Sequence, residues 1–279
     1  MEKREIMTEE PPKAKPPKNR TGEMPFLDHL EELRWRIIKG FSGVAVGVII
    51  AFFFSDFLVE KVIMGPTQAD FFIYKWLGIH AIDLTIQSRK LPGQFFTFWG
   101  TLIVSGAIIG SPILFYQLWA FIAPAMGTSE KKKTRGYTIF ITLFFLFGVA
   151  FGYFILVPFA LQFFSQFQIS DVIHNDFDIN EYFSSLSMWI LSCGAVFELP
   201  VLSYFLSRVG LLTPDFLKKY RRHAIIFCFI LSAFLTPPDP VSQILVAIPL
   251  VLLYQFSIWI SKFGVKKRKE DLEKAFSGN

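Results

Sequence analysis

The sequence has little that points to catalysis. It holds two cysteines in 279 residues, Cys193 and Cys228. Both lie in apolar runs and fit neither a metal-ligand spacing nor a disulfide framework, so they read as small buried hydrophobes. The four histidines (His29, His80, His174, His223) are scattered. There is no P-loop, no HExxH and no GxSxG. No enzymatic activity and no cofactor or metal is therefore expected, and any transport work must be driven from outside the chain. The first 22 residues lack an apolar core and are rich in Pro and Lys. They read as a disordered leader rather than a cleavable signal peptide. A net charge of +5 is too small to argue for a nucleic-acid partner.

Apolar residues make up 52% of the chain, 34 of them Phe, and the mean hydropathy is +0.44. Six apolar segments stand out: Ile37–Phe57, Phe95–Ala123, Tyr137–Phe164 with a break expected near Pro158, Tyr182–Leu206, Ala224–Leu235 and Ile244–Ile260. Several reach the roughly 20 residues that span a bilayer as a helix. They lack the alternation of barrel strands, so an all-α integral membrane fold with six transmembrane helices is expected. The domain organisation read from this is a leader over 1–23, one six-span domain over 24–263 and a basic tail over 264–279.

The distribution of Lys and Arg sets the orientation. The loops at 159–181 and 236–242 hold none, and the loop at 57–94 holds four. The opposite side collects 23, with Lys39 inside the first span. By the positive-inside rule both termini lie in the cytoplasm (N-in/C-in). Helices five and six read as short. Segment five has 12 residues, about 18 Å against a core of roughly 30 Å, and Thr236-Pro237-Pro238-Asp239-Pro240 then stops it. It is either a thin wall or a helix extended back through Tyr220–His223. Pro112, Pro158, Pro200 and Pro249 lie in four spans, and Pro-kinked helices tend to form a concave bundle. Gly106 and Gly110 have the spacing of close helix contact.

Four places carry polar residues of interest. Met24–Arg36 reads as an amphipathic helix entering the first span, with Asp28 as cap and Glu31 three residues on. Leu30, Leu33 and Ile37 form its apolar stripe, and the Glu32–Arg36 and Glu31–Arg34 spacings also suit local pairing. Between spans two and three, Ser129 reads as a cap with Glu130 in the first turn. That carboxylate can complement the helix dipole or accept an arginine from a ligand. Glu198 sits inside the fourth span, where a carboxylate costs several kcal/mol unless protonated, paired or water-facing. Gln243 opens the sixth.

His29-Leu30-Glu31-Glu32-Leu33-Arg34 resembles the N-terminal HLxELR signature of the TatC family. Tyr116–Pro124, leading on to Glu130 and a basic residue, resembles that family's first cytoplasmic loop. Phe197-Glu198-Leu199-Pro200 resembles its fourth-span motif, and Leu235–Asp239 with Ser242-Gln243 and Ala247-Ile248-Pro249 resembles its last hairpin. Met126–Ser129 and the loop at 57–94 depart from the family's pattern. The resemblance implies a receptor core of the twin-arginine translocase in the cytoplasmic membrane. Such a subunit helps move folded proteins on the proton-motive force, without nucleotide. By motif position Glu32 and Glu130 would accept the paired arginines of a signal peptide, with Arg34, Leu33 and Phe121 shaping the same surface. Glu198 and Gln243 would contact single-span TatA/TatB-type partners, and Asp239 and Pro66 would lie on the external rim. Self-association and contact with membrane lipid are also implied. Two other classes remain: a small-solute transporter with Glu198 as an ion site, and an intramembrane enzyme. The sequence shows no repeated halves for the first and no constellation of acids and histidines for the second.

Overall fold

The computed structural model describes residues 26–80, 82, 84–123, 134–170, 175–236 and 239–277. The described chain is almost wholly helical. In order it forms α1 (Phe26–Phe53), α2 (Phe72–Leu77), α3 (Gly93–Ile122), α4 (Thr134–Phe151), α5 (Val157–Gln166), α6 (Ile179–Val196), α7 (Leu199–Val209), α8 (Pro214–Lys219), α9 (Arg221–Leu235) and α10 (Pro240–Ser277). Five stretches are long and apolar enough to cross a membrane: Leu30–Phe53, Gly93–Ile122, Gly136–Gln166, Ile179–Val209 and Pro240–Glu273. The leader expected over 1–23 lies outside the described residues.

The first two long helices, α1 and α3, cross at glycines. A Cβ on Gly47 would stand 2.2 Å from the carbonyl oxygen of Gly106, and one on Gly110 2.7 Å from that of Gly43. Backbone meets backbone there, which only glycine permits. The Gly106/Gly110 pair expected to make a close contact makes it, against Gly43 and Gly47 of α1. A second such contact joins α4 to α6, where a Cβ on Gly148 would meet the Cys193 carbonyl at 2.6 Å.

Prolines act differently in each span. The break expected near Pro158 does not occur. The helix instead widens into a π-turn over Gly152–Leu156, which absorbs the missing N–H donor and carries the chain from α4 into α5 without interruption. The fourth span does break: α6 ends at Val196, and α7 restarts at Leu199 with Pro200 in its first turn. Pro112 and Pro249 lie inside continuous helices.

The α9–α10 hairpin resolves the open question about the fifth segment. The helix does extend back, to Arg221, yet its 15 residues still span only about 22 Å. Ser232 Oγ donates to the Gln243 carbonyl at 2.6 Å, closing the hairpin. The sixth helix, expected to be short, is not. It runs 38 residues to Ser277, because the basic tail read as a separate piece is itself a good helix former. Within it Arg208 of α7, whose side chain is 2% exposed, meets Asp271 at 2.8 Å and holds the tail against span four. At the other end α1 is already helical at Phe26, two residues before the Asp28 expected to cap it.

The 54–92 connection folds onto the ends of α4–α6. Tyr153 Oη donates to the Val62 carbonyl at 2.7 Å and Tyr182 Oη to that of Ile63 at 2.5 Å. Tyr74 Oη donates to the carbonyl of Pro66, and both residues are buried. Two short strands, β1 (Ile86–Gln87) and β2 (Phe177–Asp178), pair in parallel. Asp178 caps α6 by accepting from Asn180 N and also accepts from the backbone N–H of Arg89 at 3.0 Å. The Arg89 N–H, more than the Asn180 groups, holds the Asp178 carboxyl below its usual value. A depressed folded value means the latch is whole above the ordinary carboxylate range and weakens as pH falls through it. Hydrogen exchange of residues 86–89, corrected for intrinsic pH dependence, is expected to lose protection as pH falls below the ordinary carboxylate range, and to lose it at neutral pH in Asp178→Ala. Protection that persists in that variant would contradict the latch.

Candidate functional site

The N-terminal residues singled out by sequence meet at the ends of α1 and α3 opposite the tyrosine-held loop. Leu33, Arg36, Ile37 and Phe41 of α1 face Leu114, Gln117, Leu118 and Phe121 of α3 across an apolar groove of about 250 Å³. Leu33 and Phe121 are thus brought together although 88 positions separate them. A Cβ on Gly40 would lie 3.0 Å from Leu114, so a small residue here lets the two walls approach.

Glu32 stands beside this groove. Its Oε1 accepts from Arg36 Nε at 2.8 Å, and a second Arg36 nitrogen bonds the same oxygen. The local i,i+4 pair is therefore real. It engages only half of the carboxylate, because Oε2 is buried with no hydrogen-bond partner among the described residues. An unpaired buried carboxylate oxygen is costly, and a second guanidinium would satisfy it. Arg34 is exposed and does not line the groove. Arg36 does, in addition to its local pairing with Glu32. Glu130 and its expected cap Ser129 lie outside the described residues.

A separate apolar cleft runs between α4 and α10. Its two parts, about 630 and 670 Å³, share Phe256, and Phe140, Phe144 and Phe147 line the α4 side. Glu198 sits at the α6–α7 break, at the N-terminal end of α7 without a side-chain capping bond, and its Oε1 is buried with no hydrogen-bond partner among the described residues. The neighbouring Phe197 forms part of the cleft wall and packs on Phe147 and Phe151 at 5.6 and 5.5 Å. Glu198 thus follows a residue of the cleft wall in the chain, and neither cleft part shares a residue with the groove beside Glu32.

Gln243 lies at the opposite end of the hairpin. Its Nε2 donates to the Phe229 carbonyl at 3.3 Å, and it borders an apolar groove formed by Ile226, Phe229, Ile230 and Phe234. Asp239 has a capping role: Oδ2 accepts from Ser242 N at 2.7 Å. Pro66 is buried in the 54–92 connection, where its carbonyl accepts from Tyr74. No group of three or more His, Cys, Asp or Glu suited to a metal occurs among the described residues.

Comparison with known proteins agrees with this architecture. The family model described as "Sec-independent protein translocase protein (TatC)" matches residues 28–249. A TatC from Blattabacterium sp. subsp. Periplaneta americana is 40% identical over 90% of this chain and 100% of its own length. TatCy of Bacillus subtilis is 32% identical over 90% of this chain and 94% of its own. A crystal structure of the twin-arginine translocase receptor TatC superposes with a TM-score of 0.66 at 30% identity, covering 85% of this chain and 99% of that one. The same receptor crystallised in DDM gives 0.68 at 29% identity. This multi-pass α-helical membrane protein belongs to the TatC family of Sec-independent protein translocase proteins.

Proposed function

We propose that this chain is the receptor subunit of a twin-arginine translocase in the cytoplasmic membrane, with both termini in the cytoplasm. It binds the paired arginines of signal peptides on folded cargo. The observation that carries this reading is the half-engaged Glu32 carboxylate beside a groove walled by Leu33 and Phe121. A guanidinium offers a planar fork that fits a carboxylate, whereas an ammonium is a point charge. The apolar groove suits residues flanking the arginines. Glu130 would supply the second acceptor and Arg34 the outer edge of the surface. Family membership and the skewed placement of basic residues support the orientation.

The same reading gives Glu198 and Gln243 to contacts with single-span TatA/TatB-type subunits, since Gln243 borders one apolar groove and Phe197, next to Glu198, lines another. Further copies of this chain would complete the complex.

A photoreactive residue at position 121 tests the location. It is expected to label a signal peptide bearing Arg-Arg and to leave its Lys-Lys counterpart largely unlabelled. Equal labelling of both would remove the groove from arginine recognition.

A further inference from the structure

The apolar surface of the bundle does not end at one depth. Lys262 is the first charged residue of α10. On the α4 side of that helix the apolar wall continues to this level through Trp259 and Phe263, both about half exposed. On the α9 side it stops earlier. Tyr254 Oη donates to the Leu217 carbonyl at 2.7 Å, so the corner between α8 and α9 stands beside Tyr254. The hairpin register agrees. Ser232 bonds the Gln243 carbonyl; eleven residues back from Ser232 lies Arg221, and eleven on from Gln243 lies Tyr254. Tyr254 precedes Lys262 by eight residues, about 12 Å along the helix. Helical side chains lean toward the N-terminus, which on α10 is the hairpin end. The Tyr254 hydroxyl therefore sets the corner at least that far from Lys262, toward the bilayer centre.

The corner carries Lys218, Lys219, Arg221 and Arg222, all exposed. Asp215 is the one acid in residues 210–238, and it pairs only with Lys218, at 3.4 Å across two exposed side chains. The facing helix α10 has no acid before Glu270. Among the described residues Lys219, Arg221 and Arg222 meet no carboxylate. Exposed apolar side chains flank the cations: Phe216 and Tyr220 on one side, Ile226 and Phe227 on the other. Charge left in hydrocarbon is costly, and snorkelling recovers only part of such a step. Anionic headgroups drawn to the corner would neutralise the cations, while their acyl chains met the flanking aromatic residues. We propose that the α8–α9 corner is a docking surface for anionic phospholipid headgroups, held about 12 Å nearer the bilayer centre than the level of Lys262. Assigning them to the inner leaflet rests on the proposed orientation; the charge and depth of the corner do not. The mismatch of the 15-residue α9 is then met at this corner rather than at the hairpin. The surface shares no residue with the groove beside Glu32.

Fluorescence quenching tests the surface in the full-length protein, reconstituted into phosphatidylcholine vesicles. Both native cysteines are buried, so a dye on His223→Cys reports on the corner. The quenchers are phosphatidylglycerol and phosphatidylcholine, each with a nitroxide at the fifth acyl carbon. Both leaflets contain them, so the result does not depend on orientation. Phosphatidylglycerol is expected to be enriched about fivefold at the dye, the figure for one headgroup–cation contact. Arg221→Gln with Arg222→Gln should bring the two lipids close to parity. Lys266→Gln with Lys269→Gln removes the same charge from the exposed tail and should leave the preference intact. A nitroxide at the twelfth carbon should quench less than one at the fifth. Equal quenching by the two lipids without any charge variant overturns the proposal. So does a preference that survives the arginine pair of substitutions or falls equally in the tail variant. Stronger quenching from the twelfth carbon would put the corner in hydrocarbon and overturn it as well. A dye reached by aqueous iodide and by neither lipid would do the same. None of these readouts uses a signal peptide, so a failure of arginine recognition leaves them unmoved.

Discussion

Glu32→Gln is expected to weaken binding of a twin-arginine signal peptide by about 10- to 150-fold while the protein still inserts and purifies. The estimate follows from charged hydrogen bonds, which contribute roughly 1.5–3 kcal/mol each. Glutamine keeps the length and shape of the side chain, so the Leu33–Phe121 groove survives. What it removes is the negative charge that Oε2 offers to an incoming guanidinium. Arg36 then loses the charge of its partner, but it is a partly exposed residue at a helix surface and the cost to folding should be small. The affinity is measured by titrating labelled peptide into detergent-solubilised protein. An unchanged dissociation constant would mean that the Glu32–Arg36 pair is a purely local helix device.

The largest expected effect on stability comes from the α1–α3 crossing. Gly47→Ala places a methyl group 2.2 Å from the Gly106 oxygen and 3.0 Å from the Gly110 nitrogen. Those are backbone atoms of a packed helix and cannot rotate away, so the helices must separate. Overpacking of this kind costs about 1–3 kcal/mol, and more where no side chain can yield. Separation also moves Leu33 away from Phe121, since both lie on the same helix pair. Gly47→Ala is therefore expected to lower both the melting temperature in detergent and signal-peptide affinity. Gly136→Ala, which meets nothing within 4 Å, should leave both intact. A Gly47→Ala protein with wild-type melting would contradict the tight crossing.

The two predictions differ in how far the sequence alone leads to them. Glu32, Leu33 and Phe121 came from motif resemblance, and nothing in composition or periodicity joins position 33 to position 121. The joining is tertiary, made by glycine contacts whose α1 half is hidden among the small residues of an apolar run. Span positions were legible because long apolar runs have few alternatives in lipid. Local outcomes at proline were not. Pro158 is absorbed by a π-turn and Pro200 accompanies a true break, and which of these occurs depends on the neighbouring helices. The continuation of α10 through the basic tail was hidden by treating loss of hydrophobicity as loss of helix. The Arg208–Asp271 pair that fixes the tail joins residues 63 apart in sequence. Likewise β1 and β2 are two residues each and pair across 91 positions. Segments that short carry no period to read.

The central claim is that this chain reads paired arginines through carboxylates beside the α1–α3 groove. The most direct measurement is co-purification, in mild detergent, of the protein with a folded reporter carrying an Arg-Arg signal peptide, beside the same reporter carrying Lys-Lys. The account predicts retention of the Arg-Arg reporter alone, lost in Glu32→Ala and in Glu130→Ala. Equal retention of both reporters, or retention undiminished in those variants, would contradict it.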